Sequence, residues 1–309
     1  MRIHIVGAGA LGCAIGGTLA EAGSDVTLIT RNELHVHAIN QQGLVMRDGE
    51  TERVVPAKAA IDCRGLSVAD LVIVLVKSLH TREAMGAARN IIGAQTAVMS
   101  LQNGLGHEET LIEMFGAARV LAGKTYVGGV LLGAGRIIAS TRGKRTIIGE
   151  LDGSISGRVT AIAAEFERAS LATTVSDNIV GTMWDKLLIN VATGALSGIT
   201  GLAYGDLYSV PEIEQCAVAA VDEAMTVARA VGVTLSIPLA RDAWMMAADG
   251  LPPEFRTSML QSLDKGALTE IDFINGAVVR AGTRHQVPTP VNQSLVAAVK
   301  GIEYRMTRT

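Results

Sequence analysis

Short, mostly apolar, β-rich runs alternate with helix-periodic stretches through the first half of the chain. Residues 3–6, 25–30, 71–76, 96–100 and 120–126 are such runs, rich in Val, Ile and Leu and short enough to be strands. Near-continuous apolar strands separated by helices predict a parallel sheet covered on both faces. Residues 136–148 alternate instead, which predicts an added antiparallel hairpin. After about Ser176 the texture changes. Residues 179–197, 211–231, 238–246, 257–262, 269–284 and 292–305 place apolar residues at helical spacing, with almost no strand signal. Pro252-Pro253 and the 288–290 segment mark loops between them. The pattern predicts an α/β domain over 1–176 and an all-helical domain over 177–309.

Composition agrees with that division. A chain of 309 residues accommodates two domains of ordinary size, and 49% hydrophobic against 18% charged residues allows sizeable cores. Aromatics are only 3% while glycines number 34, a mix suited to close helix–sheet packing. A net charge of −3 carries no footprint for nucleic acid, yet it leaves room for a local basic pocket and a phosphate-bearing cofactor. Cys13, Cys63 and Cys216 are odd in number, far apart and without a CxxC pair. They argue against a disulfide framework or zinc site and for a reducing compartment. The six histidines lack metal-ligand spacing, and no Ser/His/Asp arrangement is recognisable. No apolar run nears membrane-spanning length, and Met1-Arg2 leads straight into the first strand without a signal-peptide pattern. The expectation is a cytoplasmic protein with no membrane or nucleic-acid partner and no metal.

The first strand runs into Gly7-Ala8-Gly9-Ala10-Leu11-Gly12, which opens a helical stretch ending at Gly23. In a dinucleotide-binding turn the first glycine permits the tight bend and the second lets the backbone approach the pyrophosphate. The third lets helix and strand pack closely, and the pyrophosphate meets the free N–H groups of the helix start. This context makes the first domain Rossmann-type. The adenosine ribose faces the carboxyl end of the second strand, where an acid favours NAD and a base pairs with the 2′-phosphate of NADP. Asp25 begins that strand rather than ending it; the end is Thr30-Arg31-Asn32. Arg31 is therefore the expected 2′-phosphate partner, and NADP(H) the expected cofactor. Lys77 and Gln102-Asn103-Gly104 follow two further strands, at the edge where open α/β sheets collect ligands.

Reduction of a ketone needs a hydride donor, a positioned carbonyl, an acid for the developing alkoxide and donors for the substrate. In Trp184-Asp185-Lys186-Leu187-Leu188-Ile189-Asn190, Lys186 and Asn190 are four apart and share a helix face. A lysine within this mostly apolar stretch is a candidate proton donor, although a lysine snorkelling to solvent has the same pattern. Thr269-Glu270-Ile271-Asp272 reads as a helix start, with Thr269 as N-cap, Asp272 at the third position and Glu270 in the first turn. Ser258 lies twelve residues earlier.

Taken in order, Gly7–Gly12, Arg31, Lys77, Gln102-Asn103-Gly104, Trp184–Asn190, Thr257-Ser258-Met259-Leu260-Gln261 and the segment from Thr269 to Gly276 resemble the ketopantoate reductase family over nearly the whole chain. The resemblance implies a Rossmann domain joined to a helical domain, with the active site in the cleft between. It implies NADPH-dependent reduction of 2-dehydropantoate to (R)-pantoate in pantothenate synthesis. Lys186 would be the general acid, Asn103 would bridge cofactor and substrate, Asn190 and Ser258 would hold the substrate, and Glu270 would contact the nicotinamide side. Gly7, Ala8, Gly9, Ala10, Leu11, Gly12, Arg31 and Lys77 would bind the cofactor. The expected partner is a small 2-keto acid, with a homodimer as a candidate assembly.

One departure from the family pattern bears on the substrate. A second Asn usually follows four residues after the first; here that position is Gly194. Losing an amide weakens recognition of a hydroxylated substrate more than it weakens hydride transfer. Other 2-keto acids, branched or aromatic, therefore stand as alternatives. So do an NAD-dependent D-2-hydroxyacid dehydrogenase and a non-catalytic NADP-binding protein.

Overall fold

The computed structural model describes residues 1–308, and they form two compact units. The first comprises Met1–Gln102 and His107–Ile179; the second comprises Asn103–Gly106 and the described residues from Val180 onward. The main division thus falls three residues beyond the expected one, and a four-residue segment from the middle of the first unit's sequence joins the second.

In chain order the first unit contains β1 (Arg2–Val6), α1 (Ala10–Glu21), β2 (Asp25–Ile29), α2 (Glu33–Gln42), β3 (Leu44–Asp48), β4 (Thr51–Val55) and β5 (Lys58–Ala60). There follow β6 (Leu71–Val74), α3 (Thr81–Ala87), β7 (Ala97–Ser100), α4 (His107–Phe115) and β8 (Val120–Thr125). The unit closes with β9 (Gly128–Gly133), β10 (Arg136–Ser140), β11 (Thr146–Glu150), α5 (Gly157–Arg168) and β12 (Thr173–Val175). The main sheet has the order β12-β11-β8-β7-β6-β1-β2-β5. From β5 to β8 every pairing is parallel. Those six strands, counted by appearance, run 3-2-1-4-5-6, the dinucleotide-binding topology whose order reverses between β1 and β6. The glycine turn lies at that reversal.

A second sheet, β4-β3-β10-β9, corrects the expected hairpin at residues 136–148. β10 pairs with β9 and β3, whereas β11 pairs antiparallel with β8, so the two halves of that segment enter different sheets. Helix α1 packs against both. A Cβ at Gly16 would meet Leu28 and Ile5 of the main sheet, and one at Gly17 would meet Met46 and Leu44 of the second. Adjacent glycines let the same helix turn approach two sheets, and its core is continuous with both.

The second unit holds α6 (Ile179–Thr200), whose first residue is counted with the first unit, then α7 (Tyr204–Leu207), α8 (Pro211–Ala230), α9 (Ala240–Ala248), α10 (Ser258–Asp264), α11 (Asn275–Arg284) and α12 (Pro290–Met306). Leu187, Leu188, Val191, Ala192 and Ala195 of α6 are fully buried and form its core with α8 and α11. Where one helix was expected from Thr269 to Arg284, a 3-10 turn at Ile271–Phe273 precedes α11. Thr269 does not cap an α-helix: its hydroxyl accepts the Ile271 amide of the 3-10 turn at 3.2 Å, while its backbone N–H and hydroxyl both donate to buried Glu303 of α12, at 2.7 Å each. Asp272 pairs with Lys300 of the same helix instead of closing a capping box. Among the described residues no helix is long and apolar enough to cross a membrane, and no cluster of His, Cys, Asp and Glu could hold a metal ion.

Candidate active site

Three glycines of the first unit's turn have three different reasons. Gly7 sits at φ +113°, and a Cβ there would strike the Leu75 and Val76 backbone at the end of β6. A Cβ on Gly12 would strike the Gly7 carbonyl. Packing therefore dictates both. Gly9 is different, because a Cβ there would meet nothing within 4 Å. The protein leaves open space over this residue. Gly9 is also the N-cap of α1, with no side-chain cap, so the first amides of the helix have no intrahelical or capping partner. Open space over uncapped amides fits the pyrophosphate of a dinucleotide.

The other cofactor candidates of this unit lie at the same strand ends. Arg31 follows β2, and its guanidinium reaches Glu83 Oε1 at 3.0 Å with both side chains largely exposed. An exposed pair of this kind is weak and exchanges easily for another anion. Asn32 is committed to α2 as its N-cap, accepting from the His35 amide. Asp25 begins β2 and is held by Lys58 and Arg2, which keep its carboxyl below the usual range. Lys77 is exposed three residues beyond β6. The Gln102 amide is spent on the Val76 carbonyl and the Thr81 hydroxyl, at 2.8 Å each, and fixes the backbone next to Lys77.

In the second unit the structure joins Lys186 directly to Asn103. Lys186 Nζ donates to Asn103 Oδ1 at 2.8 Å, across 83 residues of sequence. Nothing local in the sequence signals that bond. The Asn103–Gly106 segment is seated on the turn that carries Glu270: the Leu105 amide donates to the Phe273 carbonyl at 2.9 Å, and Gly104 lies against the same peptide. Thus Asn103, Lys186 and the Glu270 turn are brought together, with Glu270 beginning a 3-10 turn rather than riding in an α-helix. Neighbouring Asp185 receives the Ser236 amide at 3.0 Å and its hydroxyl at 2.6 Å, so it anchors a loop.

Asn190 lies one turn beyond Lys186 and is half-buried. The next turn places Gly194, where a Cβ would lie 3.6 Å from Met259 Cε, an ordinary contact. Thr193 does not replace the missing amide, because its buried hydroxyl is bonded to Tyr204 at 3.2 Å. Ser258 starts α10 on the exposed side, immediately before Met259. No contact requires glycine at 194, while glycine inside a helix costs about 1 kcal/mol relative to alanine. Gly194→Ala is accordingly expected to raise unfolding stability by up to about 1 kcal/mol in denaturant titration.

Comparison with known proteins decides the family. The family described as ketopantoate reductase PanE/ApbA matches residues 3–153, and its C-terminal counterpart matches residues 178–303. The chain belongs to the ketopantoate reductase family. The 2-dehydropantoate 2-reductase of Pyrococcus horikoshii is 36% identical over 304 residues, covering 98% of both chains. That of Halobacterium salinarum is 35% identical, covering 97% of this chain and 98% of its own. The crystal structure of a PanE/ApbA family ketopantoate reductase from Ralstonia eutropha superposes with a TM-score of 0.90 at 35% identity, covering 99% of this chain and all of that one. A ternary structure of D-mandelate dehydrogenase with NADH and anilino(oxo)acetate gives a TM-score of 0.91 at 25% identity, with the same coverage. The fold and membership of an oxidoreductase family are therefore fixed.

Proposed function

We propose that this protein reduces 2-dehydropantoate to (R)-pantoate, with NADPH as donor, as a step of pantothenate synthesis. The Lys186–Asn103 bond carries the reading, because it presents an ammonium group within reach of a second polar side chain at the start of a glycine-bearing turn. When bound, NADPH supplies the hydride to the carbonyl carbon. Lys186 polarises the carbonyl oxygen and gives it a proton as the alkoxide develops, so ketone, hydride and proton become the secondary alcohol. Asn103 holds the lysine in line by accepting one of its three N–H bonds. Asn190 and Ser258 bind the substrate, and Glu270 contacts the nicotinamide side.

In the first unit, the amides from Gly9 to Gly12 receive the pyrophosphate, Arg31 the 2′-phosphate, and Lys77 further anionic charge. Arg31→Ala is expected to weaken NADPH roughly ten- to a hundredfold, the range for hydrogen bonds to charged groups, and to leave NADH nearly unchanged. Titration of both cofactors measures this; equal losses would remove Arg31 from the 2′-phosphate.

A second reading rests on Gly194. Without an amide at this position, recognition of the substrate hydroxyl is reduced more than hydride transfer, which favours a 2-keto acid that lacks that hydroxyl. Likeness to D-mandelate dehydrogenase supports an aromatic one. Steady-state kinetics with NADPH and NADH against 2-dehydropantoate, branched 2-keto acids and phenylglyoxylate test both. 2-Dehydropantoate with NADPH is expected to give the highest kcat/KM. Phenylglyoxylate far ahead would replace the first reading by the second.

A further inference from the structure

Buried His35 makes three hydrogen bonds to three different segments of the first unit. Its backbone amide donates to Asn32 Oδ1 at 3.1 Å, in the turn that carries Arg31. Its Nδ1 accepts from the Gly135 amide at 2.9 Å, in the turn between β9 and β10. Its Nε2 lies 3.3 Å from Cys13 Sγ, and Cys13 Sγ in turn donates to the Ala8 carbonyl at 3.5 Å. Because Nδ1 accepts, the neutral ring carries its proton on Nε2, which donates to the sulfur. Burial pushes the Cys13 thiol up to about 12 and lowers the pKa of His35, so the thiol keeps its proton and the ring stays neutral. Each donor along the chain His35, Cys13, Ala8 then has an acceptor.

The end of this chain matters for the cofactor. The peptide between Ala8 and Gly9 is planar and trans, so its C=O and N–H point to opposite sides. Holding the Ala8 oxygen on Cys13 turns the Gly9 N–H to the side of the peptide away from Cys13, at a residue whose Cβ position is open. We propose that His35 is a positioning residue for the dinucleotide, aligning the Gly9 amide through Cys13 while its backbone amide holds the Arg31 turn through Asn32. The proposal deepens the dinucleotide reading and rests on it.

Two substitutions separate this from a role in packing alone. Glutamine places its amide nitrogen near the imidazole Nε2 and keeps the bond to Cys13; asparagine places its amide oxygen near Nδ1 and keeps the bond to Gly135. His35→Asn is expected to weaken NADPH about three- to tenfold, the worth of one net hydrogen bond, with kcat and the keto-acid KM within twofold of the parent. His35→Gln is expected to bind NADPH like the parent. Cys13→Ala cuts the same link without touching His35 and should match His35→Asn; it stands in if either His35 variant fails to fold. Equal NADPH affinity in His35→Asn and His35→Gln, or parental affinity in Cys13→Ala, overturns the proposal. A parent protein that binds neither NADPH nor NADH overturns the dinucleotide reading itself.

Discussion

Lys186→Ala lowers kcat by about 10²- to 10⁴-fold, the usual contribution of a positioned general acid, while NADPH affinity stays nearly unchanged. The expectation follows from where the lysine stands. It belongs to α6, whose flanking residues Leu187 and Leu188 are fully buried, so the helix face that presents it is fixed. Its ammonium donates to Asn103, a residue just beyond the carboxyl end of a strand. Removing the amine leaves the cofactor turn, Arg31 and Lys77 intact, because those side chains belong to the other unit. Single-turnover oxidation of NADPH, with cofactor titration alongside, separates the two effects. Near-parental turnover would make Lys186 a structural residue and sink the mechanism.

The second large effect is one of stability. Glu108 lies in the first turn of α4, is fully buried, and has its pKa pushed up from 4.5 to about 8 by burial, with neighbouring Glu109 adding to the shift. Below pH 4.5 the folded and unfolded chains both hold this proton. Between pH 4.5 and about 8 only the folded chain holds it, so stability falls as pH rises, by up to about 1.4 kcal/mol per pH unit from this group. Above that range both states are ionised and the penalty is constant. Glu108→Gln keeps the shape and cannot ionise. Its stability is expected to be close to the parent at pH 4.5 and to exceed it by several kcal/mol at pH 8. Denaturant melts of the two proteins across that range test this, and parallel pH curves would show that Glu108 is solvated.

The parallel strands were legible because burial on both faces favours near-continuous apolar runs. β3, β4 and β9 were not, for the same reason reversed. β3 turns Leu44 and Met46 inward and β4 turns Val55 inward, with most of their other residues toward water, whereas β9 leaves the consecutive residues Val130, Leu131 and Leu132 substantially exposed. Alternation over five residues that includes Arg47, Glu52 and Arg53 resembles a loop. The 136–148 segment misled because its two halves alternate alike but pair with different sheets, and pairing is a long-range property. The same contrast holds at the site. Lys186 and Asn190 declare a shared helix face by spacing, and Gly7 and Gly12 declare a tight turn. The bond from Lys186 to Asn103 and the clamp of Glu303 on Thr269 join residues far apart in sequence, with no local trace. Thr269 looked like the cap of one long α-helix because a threonine before an acidic turn has that pattern, whereas its hydroxyl accepts from Ile271 of a 3-10 turn and donates to Glu303 of α12.

Gene exchange meets an obstacle in the path of this chain. The segment Asn103–Gly106 is encoded within the cofactor half but is built into the helical unit. A single crossover after Ile179 that brought in a relative's cofactor half would also bring in a foreign acceptor for Lys186. Donor preference and alignment of the lysine are therefore inherited together. A hybrid that changes the first and spares the second needs two additional junctions, one on each side of Asn103–Gly106.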